Sequence, residues 1–246
     1  MDTAHYKVIL AYNGSGFAGF QRQRSSRTVQ GEFESSLRRI GWHGESILAA
    51  GRTDAGVHAS GQVVSFKLDW PHTSDALLHA LNFYLPQDVG AQSVEKVAPD
   101  FHPRYDAVSR HYCYRCYCLP ERDPLREDFA WRVWPEPSIE QMNAAAQSLV
   151  GSQDFKAYGR ATTDSGVTMR EVFSAVWQAV DDEFQFDIIA NAFLYHMVRR
   201  IVLVLMTIGQ GEQPVQFVAE SLQSGQMDLT GLAPAKGLVL QEVRYQ

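Results

Sequence analysis

Residues 51–58 read Gly51-Arg52-Thr53-Asp54-Ala55-Gly56-Val57-His58. An arginine two residues before an aspartate, bracketed by glycines, puts opposite charges into one tight loop. Such a carboxylate can act as nucleophile or base, and the same residues could equally close a salt-bridged turn. A second string, Gly14-Ser15-Gly16-Phe17-Ala18-Gly19, has the G-x-G-x-x-G spacing of a dinucleotide loop. That fingerprint requires a helix to begin at once, with its N-terminus facing a pyrophosphate. Residues 20–27 are instead polar and aperiodic, so no nucleotide cofactor is expected. The segment reads as a flexible basic loop that touches phosphates. Cys113, Cys116 and Cys118 lie within six residues of each other. On a strand Cys113 would face away from the other two, so they read as small apolar residues and no metal site is expected. Gly159-Arg160 and Thr163-Asp164-Ser165-Gly166-Val167 loosely echo the Asp54 loop, with an insertion and no following histidine. Turn chemistry explains the echo, which makes Asp164 a decoy.

Residue periodicity supplies the elements that must hold these groups. Residues 6–12 form a strand ended by Asn13-Gly14. Thr28 offers an N-cap to a helix over residues 29–40, with Val29, Phe33, Leu37 and Ile40 on one face. Strands over residues 47–50 and 62–68 flank a loop over 51–61. A helix over 74–85 precedes Pro86, and a short strand over 94–98 follows. This β-α-β-β-α-β series is the split βαβ arrangement. After a polar crossing over residues 99–109 the alternation repeats. The spacing predicts strands over 111–119, 172–180, 184–190 and 237–244, and helices over 139–150 and 192–208. Two related α+β domains are therefore expected, over residues 1–105 and 106–246.

At 246 residues, 45% hydrophobic and 20% charged, the chain has the composition of a soluble globular protein. The net charge of −6 argues against wholesale nucleic-acid binding, yet Arg22, Arg24, Arg27, Arg38, Arg39 and Arg52 crowd the first quarter. A short positive track on an acidic body suits an enzyme that grips RNA and releases it. The first residues are polar and acidic, unlike a signal peptide. The longest apolar stretch, residues 193–208, carries His196, Arg199 and Arg200, so it reads as a buried helix rather than a membrane span. A cytoplasmic location is expected.

The string around Asp54 resembles the catalytic loop of the tRNA pseudouridine synthase A family, G-R-T-D-x-G-V-H-A. The resemblance continues in order along nearly the whole chain. Asn13-Gly14 through Phe17, Gly19 and residues 21–23 are similar to the family's opening, and Arg27-Thr28-Val29-Gln30-Gly31-Glu32 to its first helix start. Phe101-His102-Pro103-Arg104, Ala107, Arg110, Tyr112 and Tyr114 match its central crossing. Phe193 with His196-Met197-Val198-Arg199 matches its long C-terminal helix, and Ala233-Pro234-Ala235 with Gly237-Leu238 its final loop. Phe20, Asn13 and Leu203 stand where the family usually has Trp, Asp and Gly.

The resemblance implies two tandem ferredoxin-like domains with antiparallel sheets joined and an active cleft between them. It implies isomerisation of uridine to pseudouridine at positions 38, 39 and 40 of the tRNA anticodon arm, by a homodimer. Asp54 would be the catalytic carboxylate. Arg52 would hold a phosphate or fill the vacated stack, and Tyr112 would lie against the extruded base. Arg199, on an otherwise apolar helix face, needs an anion unless it snorkels to the surface, and Asp54 is its expected partner, with Arg200 as the rival for that inward role. Leu238 would wall the base pocket, His58 would brace the loop by hydrogen bonds, and Arg22 and Arg24 would contact RNA. The isomerisation needs neither redox chemistry nor phosphate energy, so no cofactor is expected. The competing expectation is a non-catalytic RNA-binding protein of the same fold.

Overall fold

A computed structural model describes residues 3–161 and 166–246. The chain divides into two compact units, Met1–Val108 with Leu240–Gln246, and Ser109–Val239.

In the first unit, β1 (Ala4–Tyr12) alternates as its sequence requires, burying Tyr6, Val8, Leu10 and Tyr12 while Lys7, Ile9 and Ala11 stay partly open. Thr28 caps α1 (Val29–Arg39) through its hydroxyl, which accepts the Gly31 amide at 3.3 Å. Val29, Phe33 and Leu37 then turn inward at four-residue spacing. The series continues with β2 (Leu48–Ala49), β3 (His58–Leu68), α2 (Ser74–Tyr84) and β4 (Val89–Lys96). The sheet runs β4-β1-β3, and β2 and the last strand, β10 (Leu238–Tyr245), also pair with β3. The β1/β3, β1/β4 and β2/β3 pairs are antiparallel, with Val8 opposite both Val64 and Val94. Phe33 and Tyr6 pack on Phe66, with ring centres 5.9 and 6.1 Å away.

Two boundaries differ from the periodicity. Strand β3 begins at His58 rather than Gln62, so His58 and Gly61 belong to the sheet. Gly61 reads as a loop residue, but β10 explains it: a Cβ there would lie 2.1 Å from the Gln241 carbonyl oxygen. Strand β4 spans Val89–Lys96, starting earlier than its apolar residues suggest. Among the described residues only β1 hydrogen-bonds it as a strand, so its polar residues remain partly solvated.

The second unit contains β5 (Ala107–Cys118, whose first two residues belong to the first unit), β6 (Trp131–Val133), α3 (Ile139–Ala146), β7 (Gly151–Asp154), β8 (Met169–Val180), β9 (Glu183–Ala190), α4 (Met197–Gly209) and α5 (Phe217–Ser224). The sheet order is β5-β9-β8-β7 with antiparallel pairs, and β6 lies parallel to β5. Asp181, at φ 55°, makes the expected turn between β8 and β9. Helix α4 starts five residues later than the helix expected over residues 192–208 because His196, at φ 67°, breaks the helical path as the N-cap. From Met197 onward the helix is buried on nearly every side. Its C-terminal Gly209 meets α3 closely, where a Cβ would come within 2.7 Å of Met142.

Candidate functional site

Asp54 sits in the short connection between β2 and β3, half-buried, with Arg52 exposed two residues before it. The Asp54 carbonyl accepts the Val57 amide at 3.2 Å, closing a turn in which Gly56 takes φ 78°. Thr53, beside it, is 7% exposed, and its hydroxyl meets the Tyr12 hydroxyl at 2.8 Å. Burial pushes the Tyr12 phenol up to about 12, against hydrogen bonds from Thr53 and Gln62 that favour its ionised form. The ring therefore stays neutral and can donate. Gln62 also donates to the Gly51 carbonyl at 3.2 Å. These contacts place the loop on the inner ends of β1 and β3.

The segment after β1 clamps the loop from another side. Gly14 opens a 3-10 turn, and its amide donates to His58 Nδ1 at 3.0 Å, which requires the neutral Nε2-protonated imidazole. His58 is 3% exposed. Phe20 N–H donates to the Thr53 carbonyl at 3.0 Å. A Cβ on Gly14 would lie 2.1 Å from the Val57 oxygen, and one on Gly19, at φ 99°, would lie 3.0 Å from the Thr53 oxygen. These two glycines thus permit close packing of backbone on backbone. The helix that follows starts only at Val29, far too late to present its N-terminus to a pyrophosphate bound there.

The arginines of the first quarter are largely committed within the fold. Arg27 forks onto Asp88 at 2.6 and 2.8 Å, holds Glu32 at 2.8 Å, and lies 4.2 Å over the Phe17 ring. Arg22 donates to the fully buried Glu34 at 2.6 Å, and Arg38 approaches the same carboxylate at 3.7 Å. Arg24 and Arg52 are exposed. The positive track is therefore thinner than the sequence suggests, because half of its charges meet carboxylates, Arg22 and Arg38 at Glu34 and Arg27 at Asp88.

In the second unit Tyr112 stands on β5 opposite Ile188, its ring edge-on to Phe193 at 5.1 Å. Its neighbour His111 binds Asp187 at 2.7 Å and holds that carboxyl below its usual range. Arg199, in the first turn of α4, donates through Nε to the Ala233 carbonyl at 2.8 Å and receives the Ala233 amide at 3.1 Å. The loop it grips is also held by Tyr114, whose hydroxyl donates to the Pro234 carbonyl at 2.7 Å. Gly237 packs on the Tyr114 ring, and Lys236 pairs with Glu127. Leu238, 5% exposed, follows directly. Asp54, Arg52, His58, Arg22 and Arg24 thus belong to the first unit, and Tyr112, Arg199 and Leu238 to the second.

The profile of a family described as tRNA pseudouridine synthase matches residues 8–106 and 145–246. The chain belongs to the tRNA pseudouridine synthase family. Proteins named tRNA pseudouridine synthase A from Limosilactobacillus fermentum and Geobacillus kaustophilus are each 38% identical to it, covering 98% and 99% of this chain and 95% of each relative. A protein of the same name from Aeromonas hydrophila is 39% identical over 96% of this chain and 88% of its own length. The matched stretches include Asp54, Arg52, Arg199 and Leu238, whereas Tyr112 falls between them.

Sequence reasoning missed Tyr12, Thr53 and Gln62 as supports for Asp54. Tyr12 could have been found, since it closes the inward-facing alternation of β1 next to the Gly14 turn. The departures from the family pattern are accommodated locally. Phe20 is buried against Tyr12, Asn13 caps the Gly14 turn by accepting the Ser15 amide, and Leu203 packs near Gly231. Cys113 and Cys116 are buried, and no group of three potential metal ligands occurs among the described residues. Asp164 lies outside the described residues. No helix among the described residues is long and apolar enough to cross a membrane.

Proposed function

We propose that this protein isomerises uridine to pseudouridine in tRNA, at positions 38, 39 and 40 of the anticodon arm, with Asp54 as the catalytic carboxylate. The observation that carries the reading is the Asp54 loop itself. Its motif lies within the family match, and neighbouring backbone fixes it on two sides, as a preorganised nucleophile requires. The target uridine leaves the stack to reach the loop. Asp54 attacks C1′ as the N1–C1′ bond breaks, the freed base turns, C5 then attacks C1′ and displaces the carboxylate, and the proton lost from C5 is matched by one taken up at N1. Arg52 steadies a phosphate or fills the vacated stack. Tyr112 lies against the base and assists removal of the C5 proton, Leu238 walls the pocket, and Arg199 neutralises and orients Asp54. Arg24 and the remaining donors of Arg22 meet the RNA backbone.

This reading includes tandem ferredoxin-like domains with joined sheets, a catalytic cleft completed by residues 106–246, a homodimer and a cytoplasmic location. It invokes no metal and no nucleotide cofactor. The order β4-β1-β3-β2 with two helices, α1 and α2, supports it for the first domain. The test is tritium release from tRNA labelled at uridine C5, which isomerisation must expel. Release by the wild type and none by Asp54→Asn is expected. Equal release by both removes Asp54 from its role, and release by neither, with tRNA still bound, favours a non-catalytic RNA-binding protein.

A further inference from the structure

A cleft of about 480 Å³ in the second unit is lined by Lys156, Gly159, Arg160, Tyr195, His196 and Arg200, and none of the site residues named above belongs to it. Its charge is one-sided. Among the described residues no carboxylate pairs with Arg160 or Arg200, while Lys156 shares Asp154 at 3.7 Å with a threonine hydroxyl and an amide. On a chain of net charge −6, two guanidiniums in one concavity that no described carboxylate pairs form a local attractor for anions. The Nε of Arg200 is buried and has no hydrogen-bond partner among the described residues. Buried donors are normally satisfied, so such an orphan calls for a functional explanation.

The walls are built closely. The Arg160 carbonyl accepts the Tyr195 amide at 3.1 Å, joining the two segments by a single bridge. Gly159 permits that approach, since a Cβ there would lie 2.7 Å from the Tyr195 oxygen. The Tyr195 and His196 rings stack at 3.6 Å, and the Arg160 guanidinium lies 4.8 Å from the Tyr195 ring centre. His196 is held at φ 67°, a left-handed conformation uncommon for histidine, and strain of this kind gathers at ligand sites.

We infer that this cleft binds one phosphodiester of the RNA backbone, with Arg200 and Arg160 as its forked donors beside the Tyr195–His196 stack. The inference rests on the reading of tRNA as substrate. Arginine rather than lysine suits the task, because its planar fork matches two phosphate oxygens and can also stack on an aromatic ring.

The test measures binding of a full-length tRNA by fluorescence anisotropy across a salt series. Arg200→Gln and Arg160→Gln are each expected to weaken binding by about 3- to 10-fold and to flatten the salt slope by about 0.7 to 0.9, the loss of one phosphate contact. Arg200→Lys should restore the slope but not the full affinity, since charge returns without the fork. Arg160 is exposed, so its substitution tests the cleft even where an Arg200 variant folds poorly. Unchanged slope and affinity in Arg160→Gln would overturn the inference, as would an equal change in the exposed Lys67→Gln control outside the cleft. A wild type that binds tRNA without isomerising it refutes the reading of Asp54, while the slopes still decide the cleft.

Discussion

Replacing Gly14 by alanine isolates the clamp on the Asp54 loop, because it touches none of the proposed catalytic side chains. The new Cβ would sit 2.1 Å from the Val57 oxygen and 2.5 Å from the Val57 carbonyl carbon, both backbone atoms. Contact normal for carbon and oxygen requires one segment to retreat by about 1 Å, and a displacement of that size near a reacting group costs on the order of 100-fold in rate. Overpacking of this kind also destabilises by about 1–3 kcal/mol, which at this chain length lowers the melting temperature by about 2–4 °C per kcal/mol. Gly51→Ala is the internal control, since a Cβ there meets nothing within 4 Å. It should leave the melting temperature unchanged or raise it slightly, through a stiffer unfolded chain. Single-turnover pseudouridine formation and thermal melting on the three proteins read both effects. A Gly14→Ala protein with wild-type rate and unshifted melting would refute the claim that these segments constrain one another.

Asp54→Asn should lower turnover by about 10⁴-fold or more while tRNA affinity changes by less than about threefold, as expected for a group acting in the transition state. Thr53→Val keeps the shape but removes one of the two partners of the Tyr12 hydroxyl, so a loss of about 1 kcal/mol in stability is expected, together with a lower kcat at similar KM. Arg199→Lys retains the charge but not the geometry of the Nε bond to Ala233, and kcat/KM should fall about 10- to 100-fold, against little change if the arginine only fills space. Arg27 holds the Asp88 carboxyl below its usual range, so this pair stabilises the fold above the unfolded aspartate value near pH 4 and ceases to do so as the pH falls through the lowered value. The melting difference between wild type and Arg27→Gln, worth about 1 kcal/mol after solvent screening, should therefore be constant near neutrality and vanish in acid. A difference that persists at low pH would assign it to the packing of Arg27 on Phe17.

The long, strongly patterned elements were legible in the sequence because pattern and burial coincide there. Strand β1, helices α1 and α2 and the β8–β9 hairpin bury most of the residues that their period singles out, although Ile40, expected on the buried face of α1, lies beyond its end as the half-buried C-cap. Strands β6 and β7 are only three and four residues long, too short to develop a period. Helix α5 buries just Val218 and Ser221, so its apolar face is too narrow to announce it. The Asp54 loop was legible as a motif, but its supports were not. Gly14 and Gly19 carry no signal that distinguishes a phosphate cradle from a backbone contact until the opposing backbone is known. The arginines misled for a similar reason. Asp88 lies 61 residues from Arg27, and nothing local marks Glu34 as the buried acid that would claim Arg22.

Strand β10 has a consequence for how the chain is made. Residues 240–246 complete the first unit, where Gln241 lies against Gly61 and accepts a hydrogen bond from Ser60 at 2.8 Å. A ribosome delivers them only after the whole second unit has been translated. Until then part of β3 stands as an open edge, with amides and carbonyls exposed to any passing strand. The first unit can collapse early but closes late, so nascent chains stalled before residue 240 should be the form of this protein most prone to aggregate and most dependent on chaperones.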